Sequence, residues 1–224
     1  MSKRKYKESY FLRDIVWGAA SVGGYVWFRP KRCFISEKAK KRIKGGALLI
    51  SNHVGFCDPV YIMMCLNYRR HHFIAAKEMF PGGFKKFLFE RVFCCIGVDR
   101  ENVSPSFMKE VIGRLKDGQL VSMFPEGHIN RDEGVAQFKN GAVFMALKAG
   151  VPIIPVYIQK RKNIFKRLKM LIGEPIELSV PEGMSSSEYL TVASEQLRQK
   201  ELELAEYYHT HIENPQKASS AVYH

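Results

Sequence analysis

The chain has 224 residues, 46% hydrophobic and 25% charged, which suits one well-buried core or two small ones and excludes wholesale disorder. Its 35 Lys+Arg against 22 Asp+Glu leave a net charge of +13, a field that favours polyanionic partners such as nucleic acid, anionic lipid headgroups or phosphorylated substrates. The five cysteines (Cys33, Cys57, Cys65, Cys94, Cys95) are odd in number, contain no CxxC pair and follow no signal peptide, so they indicate neither a disulfide framework nor a zinc site and read as reduced, mostly buried thiols of a cytosol-facing protein.

In chain order, residues 1–7 carry four basic side chains, and residues 10–28 are then largely apolar, with Trp17, Tyr25, Trp27 and Phe28. Arg29, Lys31 and Arg32 close the stretch. Arg13 and Asp14 leave only the fourteen residues 15–28 free of charge, short of the roughly 20 needed to span a bilayer. Phe11, Ile15, Gly18, Val22 and Val26 recur at helical spacing, and aromatic residues flanked by cations suit the headgroup boundary. A helix lying in the membrane interface is expected; a core helix of a soluble domain and a true span are the alternatives.

From residue 45 the pattern alternates. Strand-like runs at 47–51, 72–76, 95–98, 120–124 and 153–158 are separated by helical stretches at 61–66, 82–93, 104–116 and 140–148. In the third stretch Ser104-Pro105 is a good start, Gly118 a good stop, and Phe107, Val111, Ile112 and Leu115 share one face. A last polar helix is expected over 186–211. Such alternation predicts an α/β fold, a mostly parallel sheet covered by helices on both faces, with an N-terminal membrane-associating helical segment. The expected organisation is a basic, amphipathic segment over 1–35, one domain over 36–215, and a frayed tail over 216–224.

Chemistry gathers at the ends of these strands. His53 follows the apolar run Ala47-Leu48-Leu49-Ile50, and Asp58 stands five positions on, just before Pro59. An imidazole can take a proton from a hydroxyl while a carboxylate on its other nitrogen fixes the tautomer. The plainer account makes Asp58 a helix cap and His53 a core histidine. Phe124-Pro125-Glu126-Gly127 follows the strand Leu120-Val121-Ser122-Met123 and turns the chain sharply at the same sheet edge. Arg100 follows Gly97-Val98-Asp99, and Lys77 follows the strand ending at Ala76; each can hold a phosphate or remain a solvated cation. Phe138-Lys139-Asn140-Gly141 opens a helix, and Val151-Pro152-Ile153-Ile154-Pro155 reads as a buried strand whose prolines restrict ladder pairing.

Taken together, in this order and spacing, these segments resemble the glycerolipid acyltransferase family, the lysophosphatidic acid acyltransferase type with its four ordered motifs. His53-x4-Asp58 matches the first, Gly97-Val98-Asp99-Arg100 the second, Phe124-Pro125-Glu126-Gly127 the third and Val151-Pro152-Ile153-Ile154-Pro155 the fourth, over about half the chain. The resemblance implies a membrane-associated O-acyltransferase. It would move a fatty acyl group from acyl-CoA or acyl-carrier protein to the hydroxyl of lysophosphatidate, giving phosphatidate. His53 would be the general base and Asp58 its orienter, with Arg100, Glu126, Gly127, Arg131 and Lys77 holding the acceptor. It implies no metal and no cofactor beyond the acyl-thioester co-substrate, because the barrier of a downhill thioester alcoholysis is mainly proton removal and alignment. Its implied partners are an anionic membrane surface and a lysophospholipid, at the cytoplasmic face of a membrane, with the protein peripheral or monotopic.

Two departures bear on the acceptor. Gly55 stands where the family commonly has serine, and Ile129 where its third motif commonly has an arginine, while Arg131 keeps the second one. Glycerol-3-phosphate, another lysophospholipid or an amino-lipid is therefore the alternative acceptor. A non-catalytic membrane-binding protein is the rival outside enzymes. A nucleic-acid role is not expected, since no helix-turn-helix, finger or RNA-sheet signature accompanies the charge.

Overall fold

The computed structural model describes residues 11–80, 82–127, 129, 140–160 and 167–213. Among them seven strands form one sheet: β1 (Lys31–Phe34), β2 (Ala47–Ser51), β3 (His71–Ala76), β4 (Ile96–Val98), β5 (Leu120–Met123), β6 (Ile153–Ile158) and β7 (Lys169–Ile172). Their spatial order is β1-β7-β6-β2-β5-β3-β4. β2 lies between β5 and β6, parallel to both, and β3 continues the parallel run to β4. The C-terminal ends of these five strands therefore share one edge. β7 runs antiparallel to β6 and β1 parallel to β7, so the starts of β1 and β7 reach that same edge.

Six α-helices accompany the sheet: α1 (Phe11–Phe28), α2 (Asp58–Cys65), α3 (Gly83–Phe87), α4 (Pro105–Lys116), α5 (Gly141–Ala149) and α6 (Ser186–Tyr207). Both faces are packed. Leu48, Ile50, Val121 and Ile153 point to one core, with Val111 and Leu115 of α4, Val143 of α5 and Leu197 of α6. Leu49, Phe73, Leu120 and Ile154 point to the other, against Ile62 and Met63 of α2, and Trp17 and Phe28 of α1 pack on it. Strands buried on both faces explain why these segments read as continuous apolar runs.

Local chemistry sets the boundaries. Ser104 Oγ accepts from Phe107 N at 3.3 Å and Pro105 opens α4, so that helix begins where its cap and proline place it. Ser185 Oγ caps α6 in the same way, accepting from Glu188 N at 3.2 Å. Gly46 leads into β2 under the α4–β5 connection, where a Cβ would meet the Leu115 carbonyl oxygen at 2.0 Å.

The structure departs from the sequence reading in four places. Two strands were not foreseen, β1 and β7, and β1 brings residues 31–34 of the expected N-terminal segment into the sheet. The helical stretch expected at 82–93 is α3 followed by a π-helical turn, Leu88–Val92. The prolines do not restrict β6, which pairs on both sides. Pro155 uses its carbonyl, accepting from Gly173 N at 2.9 Å, and the N–H it lacks is not required at that rung. Finally, Cys57 is exposed, while Cys65 and Cys94 are the buried thiols. The tail at 216–224 and the Phe138-Lys139 element lie outside the described residues.

α1 lies along the domain. At its N-terminal end Asp14 Oδ2 accepts from Arg70 Nη2 at 2.6 Å, and near its C-terminal end the Tyr25 hydroxyl donates to Met64 O of α2 at 2.5 Å. Its other face is exposed, carrying Phe11, Ile15, Val22, Val26 and Trp27. No helix among the described residues is long and apolar enough to cross a membrane.

Candidate active site

β2, completely buried, ends at Ser51 and delivers Asn52 and His53 to the shared sheet edge. Asn52 extends the sheet with its side chain. Its Nδ2 donates to Ile158 O at 2.9 Å and its Oδ1 accepts from Ile158 N at 2.8 Å, tying the loop to the end of β6. The loop then curls around Asp58, whose Oδ2 accepts from His53 Nδ1 at 2.8 Å, Val54 N at 2.7 Å and Gly55 N at 2.8 Å. Asp58 is 1% exposed and His53 16%. Asp58 does not cap α2: it is the first residue of that helix, and Cys57 precedes it without a side-chain cap bond. The carboxylate is committed to the histidine loop.

That geometry assigns the tautomer. With an acceptor-only carboxylate on Nδ1, the ring proton belongs on Nδ1 and the lone pair on Nε2. The imidazole stacks on Phe124, centroids 4.0 Å apart and planes 14° apart. Phe124 stacks in turn on Phe73 at 6.5 Å, and Phe73 on His71 at 5.6 Å. Burial pushes His71 down to about 3, so this column of rings beneath His53 is uncharged near neutrality.

The ring partner of His53 belongs to the turn Phe124-Pro125-Glu126-Gly127. Gly127 N donates to Phe124 O at 3.0 Å and closes it, and Gly127 takes φ +74°, where a Cβ is strained. Two motifs 71 residues apart are thus in ring contact. Glu126, in this turn, is turned inward and only 5% exposed. It interacts electrostatically with Glu201 of α6, a fully buried carboxyl held well above the usual range by burial first, with the Glu126 charge adding to the effect.

The other expected residues fall on the same edge, farther along. Lys77 opens the 3-10 turn after β3, and Arg100 follows β4; both are exposed. At about 4.8 Å per strand, β3 lies about 10 Å from β2 and β4 about 14 Å. Asp99 fixes the Arg100 loop, its Oδ1 accepting from Glu101 N and Asn102 N, each at 3.1 Å. Among the described residues the side chains of Lys77 and Arg100 make no hydrogen bond or ion pair, and the Lys77 carbonyl accepts from Phe80 N at 2.9 Å. Arg131 lies outside them, and Ile129 is exposed.

Sequence reasoning missed Asn52 and Glu201. An amide directly after a buried strand is a signal for a side chain that continues the ladder. Glu201 carried no signal, as one of several glutamates in a polar helix.

The arrangement is an imidazole held by a buried carboxylate, with cations spaced along one side and an open edge. Residues 32–159 match the Acyltransferase family model. A 1-acyl-sn-glycerol-3-phosphate acyltransferase of Bacillus subtilis is 30% identical over 164 residues, covering 71% of this chain and 81% of the relative. One of the same name from Streptococcus pneumoniae is 31% identical over 154 residues, and the match covers 66% of this chain and 56% of that relative. The crystal structure of the 1-acyl-sn-glycerophosphate (LPA) acyltransferase PlsC from Thermotoga maritima shares the fold, with a TM-score of 0.56, 21% identity, and coverage of 89% of this chain and 84% of that one.

Proposed function

This chain belongs to the acyltransferase family, and from that premise we propose that it acylates the free hydroxyl of lysophosphatidate, using acyl-CoA or acyl-carrier protein as donor and yielding phosphatidate. The observation that carries the reading is the 2.8 Å contact of His53 Nδ1 with a buried Asp58 that two backbone N–H groups also hold. It leaves Nε2 as a proton acceptor at the open edge.

In the proposed step Nε2 takes the hydroxyl proton as the oxygen attacks the thioester carbonyl. The C–S bond then breaks, the imidazolium returns its proton to the departing thiolate, and the products are an ester and a free thiol. Asp58 stabilises the imidazolium that forms between these events. Arg100 and Lys77, with Arg131 as a third cation, bind the acceptor phosphate, and Glu126 and Gly127 shape the wall carrying Phe124. No metal or cofactor takes part beyond the acyl carrier.

The exposed apolar face of α1 holds this edge against an anionic membrane, at the cytoplasmic face and from one side only. An 18-residue helix is about 27 Å long, and its hydrogen bonds to Arg70 and Met64 keep it flat on the domain. Phe84 and Phe87 of α3 are also exposed, next to the π-helical turn that α1 contacts.

A matrix of acyl-CoA and acyl-carrier protein against lysophosphatidate, glycerol-3-phosphate and lysophospholipids with other headgroups tests the proposal. Turnover with lysophosphatidate well above the others is expected. Preference for an acceptor without a phosphomonoester would refute the headgroup assignment, and the exposed Ile129 at a position commonly cationic in the family favours that second reading.

A further inference from the structure

At the foot of α1 the chain reverses into β1 through Arg29, which takes φ +45°, and Pro30. Tyr25, Arg29, Pro30 and Arg167 line a cleft of about 370 Å³ there. Arg167 is positioned within it by a hydrogen bond from its Nε to Arg29 O at 2.9 Å. That bond uses the Nε edge of the guanidinium, and among the described residues its two Nη groups have no hydrogen-bond partner. The cleft adjoins the exposed apolar face, with Trp27 58% and Val26 77% exposed. It also lies at the sheet edge that carries His53, because Lys31 pairs with Lys169 at the start of β7 and Ile158 with Met170 at the end of β6. Three strand spacings, about 14 Å, separate β1 from β2.

A planar fork and a second arginine beside an exposed apolar helix face match the phosphate of a phospholipid headgroup. We propose that this cleft binds the headgroup phosphate of an anionic membrane phospholipid, a non-substrate lipid that fixes the orientation of the active-site edge towards the bilayer. The inference rests on the reading that α1 docks on a membrane. It adds a headgroup site separate from the acceptor site, on the opposite side of His53 from Lys77 and Arg100. The apolar face alone sets depth, whereas a charged contact at one end also sets the rotation of the domain about the helix.

The test compares R29Q/R167Q with the charge-matched K44Q/K116Q, whose substitutions lie at the opposite sheet edge, by sedimentation with vesicles of phosphatidylcholine containing phosphatidylglycerol. At roughly a fivefold contribution for each cation at the surface, the cleft variant should bind about thirtyfold more weakly and the control within about threefold of wild type. R29K/R167K, which keeps the charge but loses the fork, should fall between them. Equal weakening of the cleft variant and the control would overturn the proposal. So would a raised KM for lysophosphatidate in detergent for R29Q/R167Q, since the cleft would then be an acceptor subsite. Calorimetry with inorganic phosphate in the absence of vesicles should show no binding at 10 mM, a concentration about that of a weak surface site; saturation abolished by R29Q/R167Q would assign the cleft to a soluble phosphate instead. Val26→Asp separates the two layers of the argument. If it loses binding while the cleft variant matches the control, the docking reading stands and this one fails; if wild type binds no vesicle, both fail.

Discussion

Asp58→Asn isolates the electrostatic part of the His53–Asp58 pair. An asparagine can keep its oxygen where Oδ2 accepts from His53 Nδ1, Val54 N and Gly55 N. Its Nδ2 then takes the place of Oδ1, a buried atom with no hydrogen-bond partner among the described residues, so the amide N–H groups stay unpaired there at a cost of about 1–3 kcal/mol in stability. Loop and tautomer survive, and what disappears is the negative charge facing the imidazolium. With charge centres about 4 Å apart and an effective dielectric constant of about 20, that charge stabilises the imidazolium by about 4 kcal/mol. Such a loss lowers kcat/KM about 10³-fold. Release of free thiol from acyl-CoA in the presence of lysophosphatidate reads the rate directly, and a melting curve checks that the fold is kept. A D58N enzyme that remains folded at the assay temperature and works within tenfold of wild type would refute the reasoning. Asp58 would then be a structural residue of the loop.

Further consequences concern stability. Gly46→Ala forces a Cβ to within 2.0 Å of the Leu115 carbonyl oxygen; overpacking against backbone costs about 3 kcal/mol, which for a chain of this size lowers Tm by about 6–12 °C, and an unchanged melting curve would contradict the tight approach. Glu201 has its carboxyl raised in the folded state by burial, so the folded chain holds a proton that the unfolded chain releases near pH 4.3. Stability therefore falls by about 1.4 kcal/mol per pH unit above that point until the folded carboxyl ionises. Glu201→Gln removes this slope, raising Tm at pH 7.5 but not at pH 4; equal shifts at both would show that Glu201 is not held protonated.

Much of the fold was legible because β2 and β6 are buried on both faces and bounded by turn signals, so their limits in sequence and structure coincide. Ser104-Pro105 located α4 for an equally local reason. β1 and β7 were not legible. Each has four residues, too few for a period to establish itself, and β1 begins with the exposed cations Lys31 and Arg32. Their identity as strands is fixed by pairing with each other and with β6, a non-local property. The same division holds at the site. His53 and Asp58 could be paired from spacing because one short loop carries both. Stacking of Phe124 on His53 depends on β5 neighbouring β2, and the inward turn of Glu126 towards Glu201 depends on where α6 crosses the sheet. Such contacts are consequences of topology and leave no mark in a single local window.

The central claim, that His53 is the base of acyl transfer, is tested most directly by His53→Ala assayed in parallel for acylation of lysophosphatidate and for vesicle binding. The account predicts that acyl transfer falls about 10³-fold or more while binding to anionic vesicles and Tm stay at wild-type values. Acyl transfer retained within tenfold of wild type would contradict it.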